Sequence, residues 1–326
     1  DYLAVQYSGA NWHPIVYNYT EQEKIKISKK KIKLKYDNVL RLFESFKAKK
    51  LLPMAGPACF LSDDQYHLNF VEYSIFPAQD HFYEYAKSKG YGEKTIVLLP
   101  EDKLSACGKC LKKLTQKNLK NICFTDKKKY LDQYKNSRTK IINTYLDSIE
   151  IPDYPLFELV KERFTPFTRK NKFYRDQIDG KILLHTTGNI TEHIIIDFAD
   201  PINPVKEFRD QSYICKFEIE SKYVNMILTH NLTWEELFLS LRFKAHRWPD
   251  EYNEALVVFL RFMRKYSEAA IIQYERYETS KMLSETFNVE HNNKKYTLQR
   301  YCPHALGDLS KGEIIDDHVV CPLHGW

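Results

Sequence analysis

The chain has 326 residues, enough for two or more domains, and 43% hydrophobic with 14% aromatic residues indicates packed structure. No apolar run approaches the ~18 residues that a membrane helix requires, which argues against a membrane-spanning role. The net charge of +6 is modest, and the lysines gathered in residues 24–35 and 109–140 read as solvated helix faces, so neither nucleic acid nor a membrane is expected as a partner.

The start, Asp1-Tyr-Leu-Ala-Val, has no initiator Met and no basic segment leading into an apolar one, so no signal peptide is read there. Seven cysteines, at 59, 107, 110, 123, 215, 302 and 321, do not suggest a disulfide framework in a chain this long. A reducing, cytoplasmic setting is expected.

Residues 1–105 alternate between strand-like and helical patterns. Apolar residues at 36, 39, 40, 43 and 46, with lysines opposite, predict a helix over Tyr36–Lys50. A strand-like run over Leu51–Leu61 follows, then a second helix over His81–Lys89 that ends at Gly90, and a short buried strand over Thr95–Leu99. This order argues for an α/β layer.

Ser8-Gly-Ala-Asn-Trp12-His13-Pro14, the lysine-rich helix and Pro53-Met-Ala-Gly-Pro-Ala-Cys-Phe60 together resemble the second half of the metallo-β-lactamase-like domain of CMP-N-acetylneuraminate hydroxylase-type proteins. Trp234-Glu-Glu-Leu-Phe and Trp248-Pro-Asp-Glu-Tyr252 resemble a segment near the end of that domain, so the likeness loosely covers 1–105 and 155–263. It implies part of an αββα sandwich, a second metal centre holding a mononuclear iron or zinc, and a small sugar-like or nucleotide-sugar substrate. The family's His-x-His-x-Asp-His ligand motif is absent from the chain and is expected upstream of Asp1. His13, His67 and His81 are the candidates for later ligands, weighed against ordinary hydrogen-bonded or surface histidines.

Residues 106–154 read as a polar, helical insert or linker. Cys107-Gly-Lys-Cys110, with Cys123 nearby, lacks a second Cys-x2-Cys pair and a βαβ active-site turn, so these read as inert thiols rather than a zinc or redox site. Residues 155–268 form a small α+β domain: a helix from Leu156 to about Lys170, strands at Lys181–Thr186, His193–Phe198 and Tyr213–Ile219, and a helix over Lys222–Thr229. The Gly188-Asn189 pair marks the turn between the first two strands. Three strands with flanking helices are broadly similar to sterol-carrier-type domains. In the helix over Glu251–Lys265, the stripe Leu256, Phe259, Leu260 and Met263 reads as packing, not as a cofactor box.

Residues 269–326 read as strands leading into a ligand motif. Asn292-Asn293 marks a hairpin turn between Phe287-Asn-Val and Tyr296-Thr-Leu. Cys302-Pro303-His304, sixteen residues, then Cys321-Pro322-Leu323-His324-Gly325-Trp326 pairs one thiol with one imidazole in each of two Pro-stiffened loops. Cys2His2 also suits tetrahedral zinc, but zinc fingers pair cysteine with cysteine and histidine with histidine.

The spacing, with Gly307-Asp-Leu309 and Gly312, is identified as that of the Rieske family. The resemblance implies a 2Fe–2S cluster with Cys302 and Cys321 on one iron and His304 and His324 on the other. Imidazoles in place of thiolates raise the reduction potential. Gly307 and Gly312 would let backbone N–H groups approach the sulfides. A Rieske fold has further strands after the His-Gly-Trp loop, so both ends read as cut ends and this all-β domain as incomplete.

The function implied is an oxidoreductase of the monooxygenase kind. It would take single electrons from a ferredoxin, cytochrome or reductase and pass them to the metal centre of the metallo-β-lactamase-like domain. The alternatives are an electron-transfer module on a non-catalytic scaffold, and a zinc hydrolase with a redox-sensing Rieske domain.

Overall fold

Strands β1 (Tyr2–Gln6) and β2 (Lys50–Met54) lie side by side in parallel, with Leu3 opposite Leu51, and are joined by the long helix α1 (Glu21–Ser45). The computed structural model describes residues 1–9, 11–99, 102–105, 126–263, 285–302, 307–315 and 317–322. These fall into two units, Asp1–Ile151 with Phe238–His246, and Pro152–Leu237 with Arg247–Trp326.

In the first unit α1 begins well before the predicted Tyr36. Thr20 and Glu23 form a capping box: the Thr20 hydroxyl accepts from the Glu23 N–H at 3.3 Å, and the Glu23 carboxylate accepts from the Thr20 N–H at 2.8 Å. The face of α1 that carries Tyr36, Val39, Leu40 and Phe43 is buried with Tyr7, Leu51, Phe82 and Ala86. Helix α2 (Gln79–Ser88) supplies the last two, and Gly90 follows it at φ +86°, as its position predicts.

The strand-like run after Leu51 stops at Met54, because Ala55 turns to φ +54° and Pro57 has no N–H to donate. Thr95 makes a single bridge to Leu51 instead of opening a strand. Among the described residues of 1–105 the sheet has two strands, so the expected αββα sandwich is not present there. Helix α3 (Lys127–Asp147) buries only Leu131 and is the polar helix predicted for this stretch.

The second unit is built on strands β3 (Lys181–Thr187), β4 (His193–Asp197), β5 (Val205–Glu207) and β6 (Cys215–Glu220), ordered β5-β4-β3-β6. β3 and β4 are antiparallel across a turn in which Gly188 takes φ +82°, while β3 and β6 are parallel. Helices α4 (Phe157–Lys170), α5 (Lys172–Ile178), α6 (Ser221–Leu228), α7 (Trp234–Ser240) and α8 (Glu254–Phe262) complete it, α7 running into the first unit.

Asn253 caps α8 by accepting from the Leu256 N–H at 2.8 Å. Leu256, Phe259, Leu260 and Met263 are all buried, and the Phe259 ring meets Phe167, Tyr174 and Phe198 at 5.1 to 5.8 Å. The stripe is packing, as its spacing predicts.

Two hairpins end the unit. β7 (Thr286–His291) and β8 (Lys294–Gln299) pair across Asn292 and Asn293, both at positive φ, which is the two-residue turn that matches strand twist. β9 (Glu313–Ile315) and β10 (His318–Val320) pair across a turn in which Asp317 has φ +63°.

Candidate metal centre

Each hairpin delivers one cysteine. β8 runs through Arg300 and Tyr301 into Cys302, and the chain returns to pair with itself at once. The Cys302 N–H donates to the Gly307 carbonyl at 2.9 Å, the Leu309 N–H donates to the Arg300 carbonyl at 2.8 Å, and Tyr301 bridges Asp308. Cys302 and Gly307 are thereby held side by side, and both are buried.

This pairing is braced by charge. The Arg300 guanidinium spans Glu285 at 3.1 Å and Asp308 at 3.4 Å. Asp308 also accepts from the Ser310 N–H at 3.1 Å and the Ser310 hydroxyl at 2.5 Å, which starts a short turn over Leu309–Lys311. Hydrogen bonds from Ser310 and Arg300 hold the Asp308 carboxyl below the usual carboxylate range.

Cys321 follows β10 directly and is 1% exposed. At the foot of its hairpin, a Cβ on Gly312 would lie 2.4 Å from the Val320 carbonyl oxygen. Gly312 has φ −79°, so space and not backbone freedom is what requires glycine. Its close approach is to the chain's own backbone beside Cys321, whereas the sequence suggested an approach to sulfides.

The two hairpins are tied at their tips, where Asp317 Oδ1 lies 2.5 Å from His291 Nε2 and accepts from Asn292 Nδ2 at 3.2 Å. Asp308 had a readable signal, since Asp-Leu-Ser is a local pattern in which the carboxylate caps the following turn. The Arg300 and Asp317 contacts had none, because their partners are distant in sequence.

His304 and His324 lie outside the described residues, as do Cys107, Cys110 and Cys123. The described half of the motif fits a cluster: two buried thiols, neither in a disulfide, stand at the ends of separate hairpins tied to one another. Burial pushes the Cys215 thiol up to about 12, so it is an inert core group.

The other histidine candidates are not gathered. His13 is half-buried, with Nε2 3.2 Å from the Tyr19 hydroxyl and its ring edge against Tyr17. Lys31 donates to its carbonyl at 2.8 Å. His67 and His81 are exposed. Among the described residues no group of three or more His, Cys, Asp or Glu is placed to hold a metal ion.

Comparisons with known proteins give the C-terminal geometry its family. The Rieske 2Fe–2S domain family matches residues 266–326, and the family described as Rv3818-like, SCP2-like domain matches residues 156–278. A protein of Mycolicibacterium smegmatis named for a Rieske 2Fe–2S iron–sulfur centre is 27% identical over 341 residues, covering 100% of this chain and 63% of that protein. Its namesake in Mycobacterium tuberculosis is 27% identical over 338 residues with the same coverage. The chain thus spans just under two thirds of the length of these relatives.

The oxygenase component of a 3-ketosteroid-9-alpha-monooxygenase from Rhodococcus rhodochrous is 51% identical over 35 residues, 11% of this chain and 9% of that protein. A structure of sterol carrier protein 2 from Yarrowia lipolytica covers 35% of the chain at 11% identity with a TM-score of 0.25, a likeness too slight to carry weight.

The SCP2-like match displaces the metallo-β-lactamase-like reading of residues 155–263, and of the two resemblances drawn there the sterol-carrier type is the one supported. Among the described residues no helix is long and apolar enough to cross a membrane. The chain carries an SCP2-like domain followed by a Rieske 2Fe–2S domain, and with it a 2Fe–2S cluster.

Proposed function

We propose that Cys302 and Cys321 bind one iron of the cluster and His304 and His324 the other, and that the protein is an oxidoreductase that moves single electrons. The observation that carries this reading is the pair of buried thiols, Cys302 and Cys321, at the ends of two hairpins joined through Asp317. When bound, the cluster supplies one-electron chemistry at a potential raised by its imidazole ligands. The protein's own part is to hold Cys302 against Gly307, exclude water from both thiols and keep the two hairpins in register.

Electrons come from a ferredoxin, cytochrome or reductase, and the acceptor serves oxidation of a small molecule. The 51% identity to an oxygenase component over 35 residues supports an oxygenase-type use of the electrons. A metallo-β-lactamase-like destination and a sugar substrate form no part of this reading, because an SCP2-like domain stands where that resemblance placed its end.

The test is spectroscopic. Purified protein should contain iron and acid-labile sulfide in equal amounts, and its reduced form should give the low average g value of a Rieske centre. His304→Ala and His324→Ala should each abolish that signal. A signal that survives either change, or zinc found in place of iron, overturns the ligand assignment. Oxygen uptake dependent on the reductase then decides between an oxygenase and a pure electron carrier.

A further inference from the structure

We propose that helix α3 is a homodimer interface, on which a second copy of this chain lays its own α3 antiparallel. Its 21 residues span about 31 Å, yet only Leu131 is buried. Helices in folded proteins draw most of their stability from packing an apolar face, and α3 has little of that within its own unit.

The polar ties between α3 and its unit sit in its N-terminal half. Lys127 Nζ donates to the Asn69 carbonyl at 2.5 Å, the Tyr66 hydroxyl donates to Asp132 at 2.5 Å, and Lys135 pairs with Asp63 at 2.5 Å. Past Lys135, among the described residues, no hydrogen bond or ion pair joins the helix to the rest of the unit. On its solvent side Tyr134, Arg138, Ile141 and Tyr145 follow at the four-three-four spacing of a coiled-coil seam. Tyr134, Ile141 and Tyr145 are 36%, 61% and 55% exposed, and the Arg138 guanidinium lies over the Tyr134 ring at 5.7 Å.

Two features select a second copy as the occupant. The first is symmetry. Tyr130, Tyr134, Ile141 and Tyr145 are spaced evenly about a centre between Ser137 and Arg138, so the stripe reads alike in either direction. On an antiparallel copy, Tyr134 meets the partner's Ile141 and Tyr130 meets the partner's Tyr145, which makes a closed, two-fold contact.

The second feature is charge. Lys127, Lys128 and Lys129 fill the first turn with no acidic residue among them, while Asp147 stands in the last turn with no basic one, and Glu150 follows. Acidic groups suit a helix N-terminus and basic groups a C-terminus, so apart from the Asp126 cap each end of α3 carries the wrong sign for its own dipole. The antiparallel register sets Lys128 level with the partner's Asp147. Each basic end then lies beside the acidic, carboxyl end of the other helix, whereas a parallel pair would set lysines beside lysines.

Sedimentation velocity on the whole protein, from about 1 to about 200 µM, tests the proposal. The sedimentation coefficient should rise with concentration to that of a dimer. Ile141→Glu should weaken self-association by about tenfold or more, with the Rieske EPR signal unchanged. Lys128→Glu with Lys129→Glu should weaken it as well, and the further changes Asp147→Lys and Glu150→Lys should restore it. A monomer at every concentration overturns the proposal, as does a dimer that Ile141→Glu leaves intact. Failure of the second pair of charge changes to rescue the first overturns the antiparallel arrangement. Should Ile141→Glu lose the EPR signal, the charge changes decide instead.

Discussion

The sheet β3–β6 and the two terminal hairpins belong to one unit but are held together by different forces. In the sheet, Ile182, Leu184, Ile194, Ile196 and Ile219 are at most 1% exposed, so its stability comes from apolar burial. In the hairpins, among the described residues of 285–322, only Cys302, Gly307 and Cys321 are buried. What fastens them is backbone pairing, the charges on Arg300 and Asp317, and the two thiols. A region with so little apolar core depends on its metal in a way that the sheet does not.

Removing the metal should separate the two regions most strongly. Chelation of iron after reduction, or Cys321→Ser, should abolish amide protection across β9 and β10 while β3, β4 and β6 keep theirs. Hydrogen exchange read by mass spectrometry checks this, and hairpins that stay protected without iron would show that backbone pairing suffices. The reverse experiment is Phe259→Ala. It removes a ring that is 0% exposed and meets three other aromatic rings, and it should cost the helix–sheet core about 3–5 kcal/mol in denaturant unfolding. The Rieske EPR signal of the folded fraction should not change.

The same contrast explains what could be read from the residues alone. Local patterns were legible: the Cys-x-His spacing, the Asn292-Asn293 turn, Gly90 after α2, and the stripe on α8 all act over a few positions. The early start of α1 was not read, because lysines from Lys24 to Lys35 break the apolar periodicity. Its signal was the Thr20-x-x-Glu23 box. The end of β2 was missed for a related reason, since Pro53-Met-Ala-Gly-Pro looks apolar but Ala55 leaves the extended region. The metallo-β-lactamase likeness rested on short segments without a spacing constraint, unlike the four-residue cluster motif.

Gly312→Ala probes the hairpins without touching a proposed ligand. The new methyl group would meet the Val320 backbone carbonyl at 2.4 Å, so the foot of the β9–β10 hairpin must shift beside Cys321. The expected cost is about 1–3 kcal/mol, confined to this region, with a lower iron content per chain. Iron content and hydrogen exchange at wild-type values would mean that the hairpin foot yields easily.

The smallest effect is expected on the sheet, through protons. His185 on β3 stacks on His193 of β4 with ring centroids 4.2 Å apart, and its Nδ1 lies 3.5 Å from the Glu218 carboxylate. Burial is the main cause that lowers its pKa, helped by His193 and Lys216 and opposed by Glu218. A histidine whose folded pKa is depressed binds its proton more readily in the unfolded chain. Its contribution is therefore present above the unfolded value of 6.5 and is lost as pH falls through the folded one. Between about pH 7.5 and about pH 5.5 the Tm of the wild type should fall by a few degrees more than that of His185→Gln. Equal pH slopes for wild type and His185→Gln would remove the stacked pair from any account of the sheet's stability.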